Sequence, residues 1–234
     1  MSQARHYIYI EDQYLVSRRL KALLVDRLRD PQFKFLLILM ENSRSFEHDK
    51  ELITPAGKFP NEFPYLIGAR NEMRADFAKA DPGGRKWRMF SLTRSPDDER
   101  RKWCGPYVHA KTCLIDDEFA VIGTVNVDDR GYTFDSEIVA GITDDMIGRM
   151  SGRRFARDLR VNLWHKHLAV PHTRLATWES GLKIWQKPPP EAMVVDNTAL
   201  EYSPLLGAKG LVRDDPVADG MWGESIDPDA DRLP

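Results

Sequence analysis

Apolar and polar positions change rhythm repeatedly along the first two-thirds of the chain. Residues 6–10 form a short β-favouring run. Leu20, Leu23, Leu24 and Leu28 then recur at helical spacing within 16–29, so the pattern predicts a strand and then a helix that Pro31 stops. Residues 33–40 are a continuous apolar run of strand length, as expected for a strand covered on both faces. A polar loop over 43–60, a helix over 63–80 closed by Asp81-Pro82-Gly83-Gly84, a strand over 86–92 and a charged loop over 93–106 follow. Residues 107–115 and 119–122 read as a hairpin turning at 116–118, residues 136–142 as another strand, and 145–168 as a long helix. Strands alternating with helices of this length predict an α/β layered domain.

The pattern fades towards the C-terminus, and charge changes with it. Residues 171–234 carry a formal charge of -5 and hold eight of the 15 prolines, including Pro188-Pro189-Pro190, whereas residues 1–170 carry +3. The expected organisation is a folded unit over 1–170 and a Pro-rich, acidic extension over 171–234. Trp178, Trp185 and Trp222 suggest that parts of the extension pack on the body. The whole chain of 234 residues has a net charge of -2, which excludes a generally basic nucleic-acid binder. Its two cysteines, Cys104 and Cys113, cannot make a disulfide scaffold or a four-cysteine zinc site. Neither a secretory signal nor an apolar run of membrane-spanning length is present, so a cytoplasmic protein, or one peripheral at a membrane surface, is expected.

The chemistry concentrates in residues 107–137. His109 and Lys111 stand two apart in a strand-like segment, so both side chains are expected on one face. Asp116 closes that segment, and the next strand ends in Gly123-Thr124-Val125-Asn126, where Thr124 and Asn126 again share a face. Glu137 opens a further strand. An imidazole, an ammonium, an amide, a hydroxyl and a carboxylate could therefore meet at one sheet face. Ammonium and amide suit phosphate oxygens, and the imidazole can serve as nucleophile or general acid. Cys113 shares the parity of His109 and Lys111 but reads as a small buried hydrophobe. His165 and His167, two apart on a helix, do not share a face as zinc ligands would.

The spacing His109-x-Lys111, four residues, Asp116, six residues, Gly123-Thr124-x-Asn126 resembles the HKD signature of the phospholipase D superfamily. Two flanking segments add to it. Ile8-Tyr9-Ile10-Glu11-Asp12-Gln13-Tyr14-Leu15 is similar to the I-Y-I-E-N-Q-Y-F segment of the larger phospholipases D, with Asp12 in place of Asn. Leu163-Trp164-His165-Lys166-His167-Leu168 is similar to their L-W-x-E-H-L helix. The resemblance covers residues 5–170 and implies the C-terminal half of such an enzyme, with an α/β/α domain built on a mixed central sheet.

By that resemblance the activity is hydrolysis of phosphatidyl esters, or transfer of the phosphatidyl group, through a phosphohistidine. His109 would be the acid–base group, and Lys111 and Asn126 would hold phosphoryl oxygens. Thr124 would add a hydroxyl where the family often has Ser. Apart from the resemblance, Glu11 and Gln13 alternate on the first strand and could face the site, where Gln13 would reach substrate. Glu137 would orient His109, and Asp116 would be a structural partner. No cofactor or metal is implied. A complete site in this family uses two motifs, and one occurs here; the partners implied are a phospholipid at a membrane surface and a second HKD half-domain, supplied by another segment or by a homodimer mate. No nucleic-acid partner is expected. A nuclease or cardiolipin-synthase-like homodimer, and a non-catalytic half-domain used as a scaffold, are the alternative readings.

Overall fold

The structure, a computed structural model, describes residues 1–41, 63–94, 106–133, 135–144 and 154–199, the backbone of two short strands at 52–54 and 57–59, and positions 150 and 152. Cys104, Trp222 and most of the charged loop over 93–106 lie outside the described residues.

The chain begins with β1 (Tyr7–Asp12), α1 (Arg18–Arg29) and β2 (Phe35–Met40). Ser17 caps α1 by accepting the Leu20 amide on its hydroxyl at 3.3 Å. A small antiparallel hairpin, β3 (Leu52–Thr54) with β4 (Gly57–Phe59), interrupts the segment expected to be all loop. Then come α2 (Phe63–Ala80), β5 (Trp87–Leu92), β6 (Lys111–Ile115), β7 (Phe119–Gly123), α3 (Asp129–Thr133), β8 (Val139–Thr143), α4 (Phe155–Leu168), a 3₁₀ turn over His172–Leu175, α5 (Trp178–Gln186) and β9 (Val194–Asp196).

Seven strands form one mixed sheet in the order β8-β7-β6-β1-β2-β5-β9. β1, β2 and β5 are parallel, and the remaining pairs are antiparallel. All six residues of β1 and all six of β2 are buried, as central parallel strands covered on both faces require. Strand parity divides the core in two. Ile8, Ile10, Leu36, Ile38, Met40 and Cys113 pack with Leu20, Leu24 and Leu28 of α1 and Met73 and Phe77 of α2. Tyr7, Tyr9, Leu37, Leu39, Phe90 and Leu114 pack on the opposite face with Trp164, Leu168, Leu175, Leu182 and Trp185. The protein is therefore α/β, with helices on both sides of a mixed sheet.

Of the helix expected over 145–168, Phe155–Leu168 form one helix and Met150 is also helical, but the two are separated by a turn at Gly152; residues 145–149 lie outside the described residues. Gly152 stands at φ +73°, Arg154 is extended, and the Phe155 amide donates to Asp144 Oδ1 at 2.8 Å. A left-handed residue cannot sit inside an α-helix, which sets the start at this turn. Residues 172–199 continue the same layers: Trp185 is fully buried, and β9 pairs with β5.

One buried ion pair locks the β6–β7 turn to the helical layer. Arg160, with no exposed surface, donates Nε and Nη2 to the two carboxylate oxygens of Asp117 at 2.6 and 2.9 Å, and Nη1 to the Leu175 carbonyl at 2.9 Å. The Tyr7 hydroxyl donates to the same carboxylate at 2.7 Å. With its partners satisfied in this way, the burial of both charges is tolerable.

Candidate active site

β6 runs antiparallel to β1, and the last register pair between them is Asp12 with Lys111. His109 thus precedes the strand, although the sequence places it within one. β1 supplies no ladder partner beyond Asp12 because the chain turns there: the Asp12 carboxylate accepts the amides of Tyr14 and Leu15 at 2.8 and 2.7 Å. His109 is exposed, and among the described residues no hydrogen bond reaches its ring. The ring lies 6.1 Å from that of Tyr107, and the His109 carbonyl accepts the Lys111 ammonium at 3.0 Å.

Lys111 also donates to Gln13 Oε1 at 3.3 Å, while Gln13 Nε2 donates to the Tyr107 hydroxyl at 2.6 Å. Both ends of the Gln13 amide are therefore engaged within the protein. Partial burial lowers the Lys111 pKa, and the charges of Asp12, Glu137 and Asp128 act in the opposite sense. Lys111 thus feels three carboxylates while its ammonium bonds only to neutral oxygens among the contacts described.

The second strand arrives as its glycine demands. A Cβ on Gly123 would meet the Ile138 carbonyl oxygen at 2.3 Å, so β7 and β8 approach closely only with glycine there. Thr124 continues the contact: its amide donates to the Ile138 carbonyl at 2.9 Å, and its hydroxyl accepts the Ile138 amide at 3.0 Å. The same hydroxyl donates to the Glu137 carboxylate. Glu137 is thereby engaged by Thr124, and among the described residues it makes no hydrogen bond to His109. Asn126 is half-buried, with its Oδ1 shielded from solvent and without a hydrogen-bond partner among the described residues. The next amide, Val127, donates to Asp12 Oδ2 at 2.9 Å, which ties this loop to the end of β1.

Asp116 sits at the far end of β6, at φ 55°, and accepts the amides of Arg5, His6 and Tyr7 at 2.7, 2.8 and 2.8 Å. It anchors the start of β1 there and, among the described residues, makes none of its hydrogen bonds with those around Lys111. Asp12 is held almost wholly from solvent, and burial pushes its carboxyl up to about 6 in spite of three amide donors. Asp128 is raised to about 6 for the same reason, and burial pushes the Cys113 thiol up to about 12, which leaves it a thiol at neutral pH.

A cavity of about 390 Å³ opens beside Lys111 on this sheet face. Asp12, Lys111, Asp135 and Glu137 give it a polar end, and Val121 and Val127 belong to its mostly apolar wall. His109 lies outside that lining. The arrangement can bind an anion at Lys111 and can offer an imidazole from the adjoining loop for proton transfer.

Three residues near the site escape a reading of the sequence. Glu41, Arg70 and Tyr107 belong to no motif, yet Glu41 accepts the amide of Val108 beside His109, the Tyr107 hydroxyl accepts from Gln13, and Arg70 binds the strand ends they depend on. One sequence signal does point to Glu41: an acidic residue directly after an apolar parallel strand lies at a carboxyl end, where α/β sheets place their sites. Glu11, which alternation would align with Gln13, faces the opposite layer and accepts from the Tyr9 hydroxyl while pairing with His167 Nε2 at 2.9 Å.

Residues 1–159 match the family described as cardiolipin synthase, PLD-like domain. Phospholipase D C of Dictyostelium discoideum is 42% identical over 204 residues, which cover 71% of this chain and 11% of that protein. Cardiolipin synthase 2 of Staphylococcus epidermidis is 38% identical over 56 residues, or 24% of this chain and 12% of that protein. The matched segments cover only about a tenth of the length of these relatives. Phosphatidylserine synthase of Haemophilus influenzae shares the fold, with a TM-score of 0.50 and 13% identity over 97% of this chain and 41% of that one. The chain belongs to the PLD-like family, within the phospholipase D superfamily.

Proposed function

We propose that this chain supplies one HKD half of a phospholipase D-type phosphodiesterase that acts on phosphatidyl esters. The observation that supports this most is the β6–β7 hairpin itself. It gathers Lys111, Thr124 and Glu137 around one end of the sheet, with His109 tethered through its carbonyl to the Lys111 ammonium. The phospholipid chemistry named in the relatives favours a lipid substrate over a nucleic acid.

In this reading Lys111 and the Asn126 amide hold the non-bridging phosphoryl oxygens, and Thr124 adds a hydroxyl. A histidine from a second HKD half, on another segment or a second copy of this chain, attacks phosphorus. The bond to the headgroup oxygen breaks, and protonated His109 gives that oxygen its proton. Water then enters. His109 takes its proton, the hydroxide oxygen attacks phosphorus, the bond to the nucleophilic histidine's nitrogen breaks, and phosphatidate leaves with that histidine regenerated; an acceptor alcohol in place of water gives transfer. Glu137 is assigned to orient His109, a role it could share with its grip on Thr124. Gln13 is assigned to hold Lys111 at the substrate, and Asp116 to brace the hairpin. No described helix is long and apolar enough to cross a membrane, so contact with lipid would be made at a surface.

The test is headgroup release from phosphatidylcholine vesicles, set against cleavage of single-stranded DNA. The protein assayed is the chain together with a second HKD half or as its own dimer. Release from vesicles is expected, and His109→Asn should lower kcat by about 10³-fold, in the range that general acid–base groups supply. Unchanged turnover in His109→Asn, or cleavage of DNA with lipid untouched, would overturn the reading.

A further inference from the structure

We propose that Glu41 and Arg70 are positioning residues for His109, acting through the backbone of residues 107–109. The proposal rests on the reading of His109 as the acid–base group. Proton transfer needs an imidazole placed to a fraction of an ångström, and a residue within a strand ladder is held more precisely than one on a loop. His109 has no such support, because the ladder between β6 and β1 ends at Lys111.

A cradle at the carboxyl ends of β1 and β2 takes the place of that ladder. Glu41 directly follows β2 and is 2% exposed, and its carboxylate accepts the amide of Val108. Val108 is itself buried, so this bond is shielded from water. Gln13, one residue beyond β1, donates to the Tyr107 hydroxyl at 2.6 Å. The Lys111 ammonium donates to the His109 carbonyl at 3.0 Å. Residues 107, 108 and 109 are thus each held at one point: a hydroxyl, an amide and a carbonyl.

Arg70 sets the frame from which two of these contacts reach. It projects from α2 with no exposed surface. Its Nη2 donates to the Gln13 carbonyl at 2.6 Å, its Nε to the Tyr14 carbonyl at 2.9 Å and its Nη1 to the Glu41 carbonyl at 3.0 Å. One planar guanidinium therefore fixes the ends of both strands, and with them the points from which the Gln13 and Glu41 side chains depart. Buried charges are seldom the most stable way to fill a core, since apolar residues of similar volume often do as well. A fixed direction is what they add here. The carboxylate makes a charge-assisted bond to Val108, roughly twice as strong as one from a neutral amide, and Arg70 ties that bond to the sheet.

The experiment uses the full chain, isotopically labelled, with hydrogen exchange of the Val108 amide and the ring signals of His109 followed by NMR. Glu41→Gln keeps the shape and leaves a neutral acceptor. The Val108 amide is expected to exchange about tenfold faster or more in this variant. The His109 Cε1–H signal should broaden or split, while the amides of Leu37 and Ile38 in β2 keep their protection. Glu41→Asp, which retains the charge, should fall between wild type and Glu41→Gln. In the turnover assay Glu41→Gln should lower kcat about tenfold or more with KM unchanged. Wild-type Val108 and His109 signals in Glu41→Gln would overturn the proposal, and so would an equal rise in exchange at Leu37 and Ile38, which marks general loosening. If the wild-type chain, assayed with a second HKD half or as its own dimer, turned over no phosphodiester, the proposed function would fall and the NMR arm would still decide the positioning.

Discussion

Asp12 offers a direct measurement of how the site is held. Its carboxyl is 1% exposed, and both oxygens are used: Oδ1 accepts from Tyr14 and Leu15, and Oδ2 from Val127. Burial outweighs these donors and raises the group from 3.8 to about 6. A carboxyl whose folded pKa is raised contributes stability that is complete below the unfolded pKa and is lost as pH rises through the folded one. From about 3.8 to about 6 the total loss is roughly 3 kcal/mol, at 1.36 kcal/mol per tenfold change. About 1.4 kcal/mol of it falls between pH 5 and pH 7. Asp12→Asn removes the ionisation but turns an NH₂ towards a backbone N–H, so it carries a pH-independent cost of about 1–3 kcal/mol. The assay is urea unfolding of both proteins at pH 5 and pH 7. The stability difference between them should move by about 1.4 kcal/mol in favour of Asp12→Asn at the higher pH. A movement below about 0.5 kcal/mol, or one of opposite sign, would show that Asp12 is not ionising in a buried site.

Two further predictions concern the framework. Arg160→Ala leaves Asp117 buried without its counter-ion and should cost about 3–5 kcal/mol in urea unfolding, while the double variant Arg160→Met with Asp117→Asn should regain most of that; a single-variant loss under about 1 kcal/mol would refute the strut. Gly181→Ala should lower stability even though alanine favours a helix by about 1 kcal/mol, because its Cβ would stand 2.4 Å from the fully buried Trp164 ring, and thermal unfolding at a raised Tm would contradict the packing.

How much of this was legible beforehand depends on the range of the interaction. The apolar run that became β2 and the leucine spacing of α1 report local periodicity, and both elements formed within two residues of the expected positions. The motif brought Lys111, Thr124 and Glu137 into view because a hairpin joins residues that are near in sequence. Local signals failed where a distant neighbour decided the outcome. His109 was expected inside a strand, and the partner strand stops at Asp12. Glu11 and Gln13 were expected on one face, and the turn after Asp12 separates them. The helix over 145–168 was expected to be unbroken, and the left-handed Gly152 interrupts it ahead of Phe155.

The sequence by itself therefore determined the family, the layered α/β class and the identity of the chemical groups, since short spacings and side-chain types carry that information. Tertiary structure alone decided how those groups are held. The Val108 amide meets a carboxylate 67 residues away, and Arg70 meets carbonyls 29, 56 and 57 residues away. Buried carboxylates and a guanidinium earn their place only once the sheet has brought strand ends together and excluded water, and no local pattern records which ends will meet.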